Sequence, residues 1–210
     1  MGQKANINSL HLSNDKDWNS VWYANEKDYP NILSEDLVLL NYLRSCFILN
    51  EKSEIIKIRV CRISKDLVIN LQLTKALNID YPILLKTLVV DLKKIFPSVG
   101  RIFIVSRILT DNELRIEPIF LSKKIAKLIE NRTRFKSLVI KRLLTQTSDV
   151  CNGIKVLCKG RLNGADMAGS DFLSLGSIPF QTLDAKIAYG FSVANTPKGL
   201  QSIKVWVYNK

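Results

Sequence analysis

A chain of 210 residues with 47% hydrophobic and 24% charged residues is long enough to bury one or two cores. That composition excludes pervasive disorder, collagen-like repeats and a disulfide-held miniprotein. Lys and Arg number 31 against 19 Asp and Glu, a net charge of +12, which favours a polyanionic partner, nucleic acid before an anionic membrane surface.

In chain order, Gly2–Trp22 is polar, shows neither helical nor strand period, and reads as an arm. Glu35–Leu49 carries Leu37, Leu40, Leu43 and Phe47 at three- and four-residue spacing, predicting an amphipathic helix capped by Ser34. Ile56–Arg62 alternates Ile56, Ile58 and Val60 against Lys57, Arg59 and Cys61, and Leu67–Leu73 alternates again. These are two strands joined by a turn at Ser64-Lys65-Asp66. A second helix, Ile83–Phe96, opens with Pro82 and stops before Pro97. Lys86, Asp91, Lys93 and Lys94 interrupt it, so it does not reach the roughly 18 apolar residues of a membrane span. Arg101–Ser106 reads as a third strand.

Thr110-Asp111-Asn112-Glu113 reads as a turn, and Pro118 can open a helix, so a domain boundary falls between Ser106 and Glu117. Glycine usage changes there too: none occurs from Gln3 to Val99, whereas the last 58 residues contain seven. Ile119–Glu130 and Phe135–Gln146 are predicted helices. Gly153–Lys159, Ala165–Leu173, Ala185–Val193 and Ser202–Tyr208 are predicted strands, with Asn163-Gly164 as a two-residue hairpin turn whose central positions need positive φ. The fold class is α+β, in two domains.

The charge is unevenly placed. Residues 1–50 carry net −2, whereas Lys123–Arg142 alone holds eight basic residues and one acid, Glu130. On a helix, Arg132 and Lys136 share one face and Arg134 and Lys141 another, giving two rows of cations. Such rows are either solvated or laid against phosphates. Lys159 and Arg161 flank Gly160, where a tight backbone lets cations approach phosphates. In the arm, lysines would meet phosphates and aromatics would meet bases, or Trp18 and Trp22 pack on their own protein.

Catalytic chemistry has little to stand on. His11 is the sole histidine, and Cys46, Cys61, Cys151 and Cys158 contain no CxxC pair, so no metal site, cofactor or catalytic residue is expected and the thiols read as free. Free thiols suit a reducing compartment. The start resembles an N-myristoylation signal, but Asn6 stands where Ser or Thr is needed.

The chain opens MGQKANINSLHL, continues with Trp18 and Trp22-Tyr23-Ala24, and closes with Gly153-Ile154-Lys155-Val156, Gly160-Arg161-Leu162-Asn163-Gly164-Ala165-Asp166, Pro179-Phe180-Gln181-Thr182-Leu183, Tyr189-Gly190 and Lys204-Val205-Trp206-Val207. This resembles the S-three family of small-subunit ribosomal proteins, of bacterial and organellar kind, whose members begin MGQKxNPxGLRLG and share WYA, GIKV, GRLxGAE, PLxTLRAxIDY and VKVWI in the same order. The resemblance spans residues 1 to 207.

The resemblance implies a structural rRNA-binding protein of the subunit head, facing the mRNA entry channel, with ribosomal proteins S-ten and S-fourteen as neighbours. It implies an arm over residues 1–33, a type II KH-like domain over 34–110, and a C-terminal α+β domain with a four-stranded sheet over 111–210. Expected rRNA-binding residues are Gln3, Lys4, Asn6, Lys16, Trp18, Trp22, Lys159, Arg161 and Asn163. Expected mRNA-entry residues are Arg132, Arg134, Lys136, Lys141 and Arg142.

Two departures from the family pattern matter. Relatives have two arginines after the phenylalanine and a lysine three further on, a cluster the resemblance links to opening mRNA helices; here Lys136, Ser137 and Ile140 stand there, with Lys141 one place later, so one of the three cations is kept. KH domains hold single strands with a GxxG loop; its place, Ala76–Pro82, contains no glycine, so the domain is expected to keep the scaffold without the clamp. The alternatives are a free-standing KH-type regulator and an enzyme acting on nucleic acid. The family-like opening at Met1 without an Arg-rich presequence, together with abundant Asn, Ile, Lys and Leu, suggests a gene translated inside a mitochondrion, with bacterial cytoplasm or plastid as alternatives.

Overall fold

The computed structural model describes residues 6–10, 12, 17–48, 55–63, 66–74, 81–97 and 99–209, with the side chains of 47–48 and 81–84 left out. The chain forms two compact units, one of residues 18–110 and one of residues 1–17 with 111–210. The Ser64-Lys65 turn and most of Ala76–Pro82 lie outside the described residues. Among the described residues no helix is long and apolar enough to cross a membrane.

The first unit begins with a short strand, β1 (Ser20–Val21), then α2 (Tyr29–Ile48), β2 (Ile55–Ile63), β3 (Asp66–Leu73), α3 (Tyr81–Ile95) and β4 (Ile102–Ile108); α1 is a turn of helix, Ile7–Leu10, belonging to the other unit. The sheet order is β1-β2-β3-β4, with β2 and β3 antiparallel and β3 and β4 parallel across the α3 crossover. This is the KH-like arrangement. Period-two alternation buries Ile56, Ile58 and Val60 of β2 and Leu67, Ile69, Leu71 and Leu73 of β3. Leu39 and Leu43 of α2 and Leu88, Leu92 and Phe96 of α3 close this core.

Three expectations for this unit are corrected. α2 starts at Tyr29, with Pro30 in its first turn, where the missing N–H costs nothing. Ser34 is therefore no cap; its hydroxyl donates to the Asn31 carbonyl at 2.7 Å inside the helix. The buried stripe is Asp36, Leu39 and Leu43: Leu39 is 0% exposed and Leu37, expected in the core, is 55% exposed. The arm also contains regular structure. Ser20 and Val21 pair in parallel with Val60 and Cys61, and Val60 N–H donates to the Asn19 carbonyl at 2.8 Å.

In the second unit Thr110–Glu113 leads into a helix rather than a turn: α4 (Asp111–Ile116), whose first-turn Asp111 and Glu113 suit the positive end of the helix dipole. Then come α5 (Pro118–Glu130), opened by its proline, α6 (Leu138–Ser148), and strands β5 (Gly153–Gly160), β6 (Gly169–Gly176), β7 (Ile187–Thr196) and β8 (Gly199–Tyr208). The sheet is antiparallel in the order β6-β5-β8-β7. Ile154, Val156 and Cys158 on β5 and Ile203, Val205 and Val207 on β8 point toward Leu121, Ile125 and Ile129 of α5 and Ile140 and Leu144 of α6.

Gly190 of β7 lets α5 come this close, since a Cβ there would stand 2.3 Å from the Pro118 carbonyl oxygen. On the opposite side of the sheet, Ile7 of α1 packs with Ala185 and Ile187. Asn163 and Gly164 do adopt positive φ, 54° and 81°, but within a short 3-10 turn, Leu162–Gly164, inside a loop of residues 161–168. The expected two-residue hairpin is replaced by this longer loop, with Gly160 paired to Gly169. The tight two-residue connection is Pro197-Lys198, between Thr196 and Gly199 of β7 and β8.

Candidate nucleic-acid interface

The basic segment does not continue one helix. α5 ends at Glu130 and α6 begins at Leu138, so Arg132, Arg134 and Lys136 stand on the intervening turn, and the helical pairing of Arg132 with Lys136 and of Arg134 with Lys141 is corrected. Arg132 sits at φ 61° and its N–H donates to the Ile129 carbonyl at 2.9 Å, closing the helix end in a conformation that glycine or asparagine usually takes. Phe135, buried under the turn, anchors it to the core. The turn therefore presents Arg132, Arg134 and Lys136 outward around a fixed hydrophobic peg.

Lys136 donates to Asp171 Oδ1 of β6 at 3.0 Å, which ties the turn to the β5–β6 hairpin. Lys141 and Arg142 are exposed on the first turns of α6, where their carbonyls accept the Thr145 hydroxyl, each at 3.0 Å. The hairpin loop carries a second group. Arg161 Nε donates to the Ala165 carbonyl at 2.7 Å and its Nη2 lies 3.7 Å from Asp166 Oδ1. The Gln201 amide holds the Arg161 carbonyl at 2.9 Å. Asn163 is exposed on the 3-10 turn, and Lys198, which the sequence reading missed, donates to the Gly164 carbonyl at 3.0 Å. Lys159 is exposed at the end of β5.

Of the arm residues, Gln3, Lys4 and Lys16 lie outside the described residues. Asn6 caps α1: its Oδ1 accepts the Asn8 N–H at 3.1 Å and its carbonyl accepts Ser9 and Leu10 N–H. Trp18 is 67% exposed, whereas Trp22 is half-buried with its ring 5.3 Å from that of Tyr29. Trp18 thus stands largely open, while Trp22 leans on Tyr29 and keeps part of its surface accessible.

Two titratable groups are strongly shaped by packing. Burial, with a smaller effect of the Asp171 carboxylate, pushes the Cys158 thiol up to about 11. Burial, then Cys46 and Asp91, also holds the Tyr42 hydroxyl well above its usual value. Among the described residues no group of three His, Cys, Asp or Glu side chains is arranged to hold a metal.

Residues 125–207 match the family ribosomal protein S3, C-terminal domain. Over 211 residues the chain is 31% identical to the small ribosomal subunit protein uS3 of Ehrlichia ruminantium (strain Gardel), covering 99% of this chain and 96% of that one. It is 32% identical over 221 residues to uS3 of Clostridium tetani, covering 99% and 92%, and 32% identical over 218 residues to uS3 of Dictyoglomus turgidum, covering 99% and 83%. Agreement at this level along almost the whole of both chains, over a KH-like unit followed by an α+β unit, places this chain in the ribosomal protein S3 family.

Proposed function

We propose that this chain is a structural protein of the small ribosomal subunit that holds small-subunit rRNA through its arm (Gln3, Lys4, Asn6, Lys16, Trp18, Trp22) and its hairpin corner (Lys159, Arg161, Asn163). Arg132, Arg134, Lys136, Lys141 and Arg142 face the mRNA entry channel. The observation that carries this reading is the outward turn 131–137 with the adjoining start of α6. There, cations with few carboxylate neighbours are held on a buried Phe135 peg, an arrangement suited to phosphates and without a packing role of its own. Residues 1–33 serve as the arm, which also lends β1 and the first turn of α2 to the KH-like unit of 34–110, and 111–210 serve as the C-terminal domain. S-ten and S-fourteen are the protein neighbours.

The KH-like unit works as architecture rather than as a clamp, because the segment that would carry GxxG has no glycine. The abundance of Asn, Ile, Lys and Leu supports a mitochondrial ribosome; the relatives compared are bacterial, so fractionation separates the two settings. The test is gradient sedimentation of the tagged chain from mitochondrial and whole-cell lysates. The chain should travel with small subunits and leave them as salt is raised. If it stays at the top of the gradient at all salt concentrations, the ribosomal reading fails and a free-standing KH-type regulator takes its place.

A further inference from the structure

The face of the second sheet that points away from α5 and α6 has a composition the assignments above do not use. Strand pairing lines up Phe172, Leu157, Lys204 and Phe191 in one row across β6-β5-β8-β7. The rows on either side are Ser174, Lys155, Trp206, Tyr189 and Ser170, Lys159, Ser202, Val193. No outward position of the four strands carries a carboxylate. Lys155, Lys159 and Lys204 hold the two central strands, and none has a carboxylate partner among the described residues. Phe172 and Phe191, on the flanking strands, are 53% and 50% exposed. One end of the face is already covered by Ile7, Ile178 and Phe180; among the described residues Phe172, Phe191 and Val193 stay exposed on the rest.

A protein partner normally meets an apolar centre ringed by polar groups, and lysine is depleted from such centres. Here Lys155, Lys159 and Lys204 stand on the two central strands, interleaved with Leu157 and Trp206, while Phe172 and Phe191 flank them. Three strand intervals of about 4.8 Å set the two rings roughly 14 Å apart. A four-stranded sheet with exposed aromatics is a surface on which two or three unpaired bases stack. Lys155 Nζ lies 5.2 Å from the Phe172 ring centroid and 5.6 Å from that of Phe180, fixing a cation beside the first ring.

We infer that this outer sheet face binds single-stranded RNA, the bases stacking on Phe172 and Phe191 while the phosphates pass over Lys155, Lys159 and Lys204. The inference rests on RNA being the partner of this chain, and it adds Lys155, Lys204, Phe172 and Phe191 to the residues already assigned.

The test is fluorescence anisotropy of the full chain with a labelled ten-nucleotide oligouridylate over a salt series, against a duplex RNA of equal charge. Phe172→Ala and Phe191→Ala should each weaken oligouridylate binding about tenfold at every salt concentration. Lys155→Gln with Lys204→Gln should lower the salt slope by about 1.4. Phe172→Leu and Phe191→Leu, which keep apolar bulk, should reproduce the loss if either alanine variant fails to fold. Unchanged binding in all four ring variants overturns the inference. If Arg132→Gln with Arg134→Gln abolishes binding while the sheet variants do not, the sheet inference falls and RNA binding by the turn stands. If no RNA binds the wild-type chain, both fall. Protection of β5 and β8 from hydrogen exchange in assembled subunits, with oligouridylate binding insensitive to the ring variants, would give the face to a protein partner and refute the inference.

Discussion

Replacing Gly190 by alanine is a direct way to separate α5 from its sheet. The added Cβ would lie 2.3 Å from the Pro118 carbonyl oxygen, 2.4 Å from its carbon and 2.6 Å from Ile119 nitrogen, where ordinary contact begins near 3.4 Å. All three are backbone atoms, so no rotamer change relieves the overlap, and helix and strand must part by about 1 Å. Overpacking relieved by side chains costs about 1–3 kcal/mol, and a clash between two backbones should reach or exceed the top of that range. The separation also loosens Leu121, Ile125 and Ile129 against Val205 and Val207. In urea, with a slope of about 1–3 kcal/mol/M, the midpoint for this unit should fall by about 1–3 M. Gly169→Ala is the matched control: nothing lies within 4 Å of its Cβ and its φ is not in the left-handed region, so the change should be neutral or stabilise by about 0.5 kcal/mol. A Gly190→Ala midpoint equal to wild type would refute the close approach of α5 to β7.

Three other outcomes are expected. Leu39→Ala should cost about 2–5 kcal/mol and Leu37→Ala less than about 0.5 kcal/mol by chemical denaturation, because only Leu39 faces the core. The Cys158 thiol rises from 9.0 to about 11, so the folded state holds its proton more tightly than the unfolded chain does. Stability is therefore complete below pH 9 and should drop by about 2–3 kcal/mol between pH 9 and 11, and Cys158→Ala should remove that part of the alkaline loss in parallel denaturation series. Arg132→Gln with Arg134→Gln should lower the salt slope of single-stranded RNA binding by about 1.4. Lys136→Gln should lower it less, since Asp171 already neutralises Lys136; equal effects per charge would show that the pair opens on binding.

Strands β2 and β3 were legible because period-two alternation has one solution: Ile56, Ile58 and Val60 cannot face the core without Lys57 and Arg59 facing away. α2 was harder, since the run Leu37-Val38-Leu39-Leu40 supplies an apolar residue at every phase of the helix, and only the partner sheet selects Leu39. The sequence placed Arg132 between two helices, Ile119–Glu130 and Phe135–Gln146, but the turn runs on to Ser137 and carries neither glycine nor proline to mark the positive φ of Arg132, so pairing its cations by helical spacing misplaced them. Asn163-Gly164 announced its dihedrals correctly but not the length of the loop, which depends on where β6 pairs with β5. The outer sheet face was readable in principle: Ile-Lys-Val-Leu-Cys-Lys and Ile-Lys-Val-Trp both put lysine on the beat opposite the core residues. Spaced singly along two strands, these lysines form no run of charge.

Ile7, packed on Ala185 and Ile187, belongs to a unit interrupted by some 90 residues that fold elsewhere. During translation Ile7 is synthesised about 180 residues before Ile187, an interval of roughly 9–36 s at 5–20 residues per second. The KH-like unit can complete its core within that interval, whereas the second unit cannot close until β7 and β8 emerge. Vectorial synthesis thus orders the two foldings, and Ile7 spends the interval unsheltered.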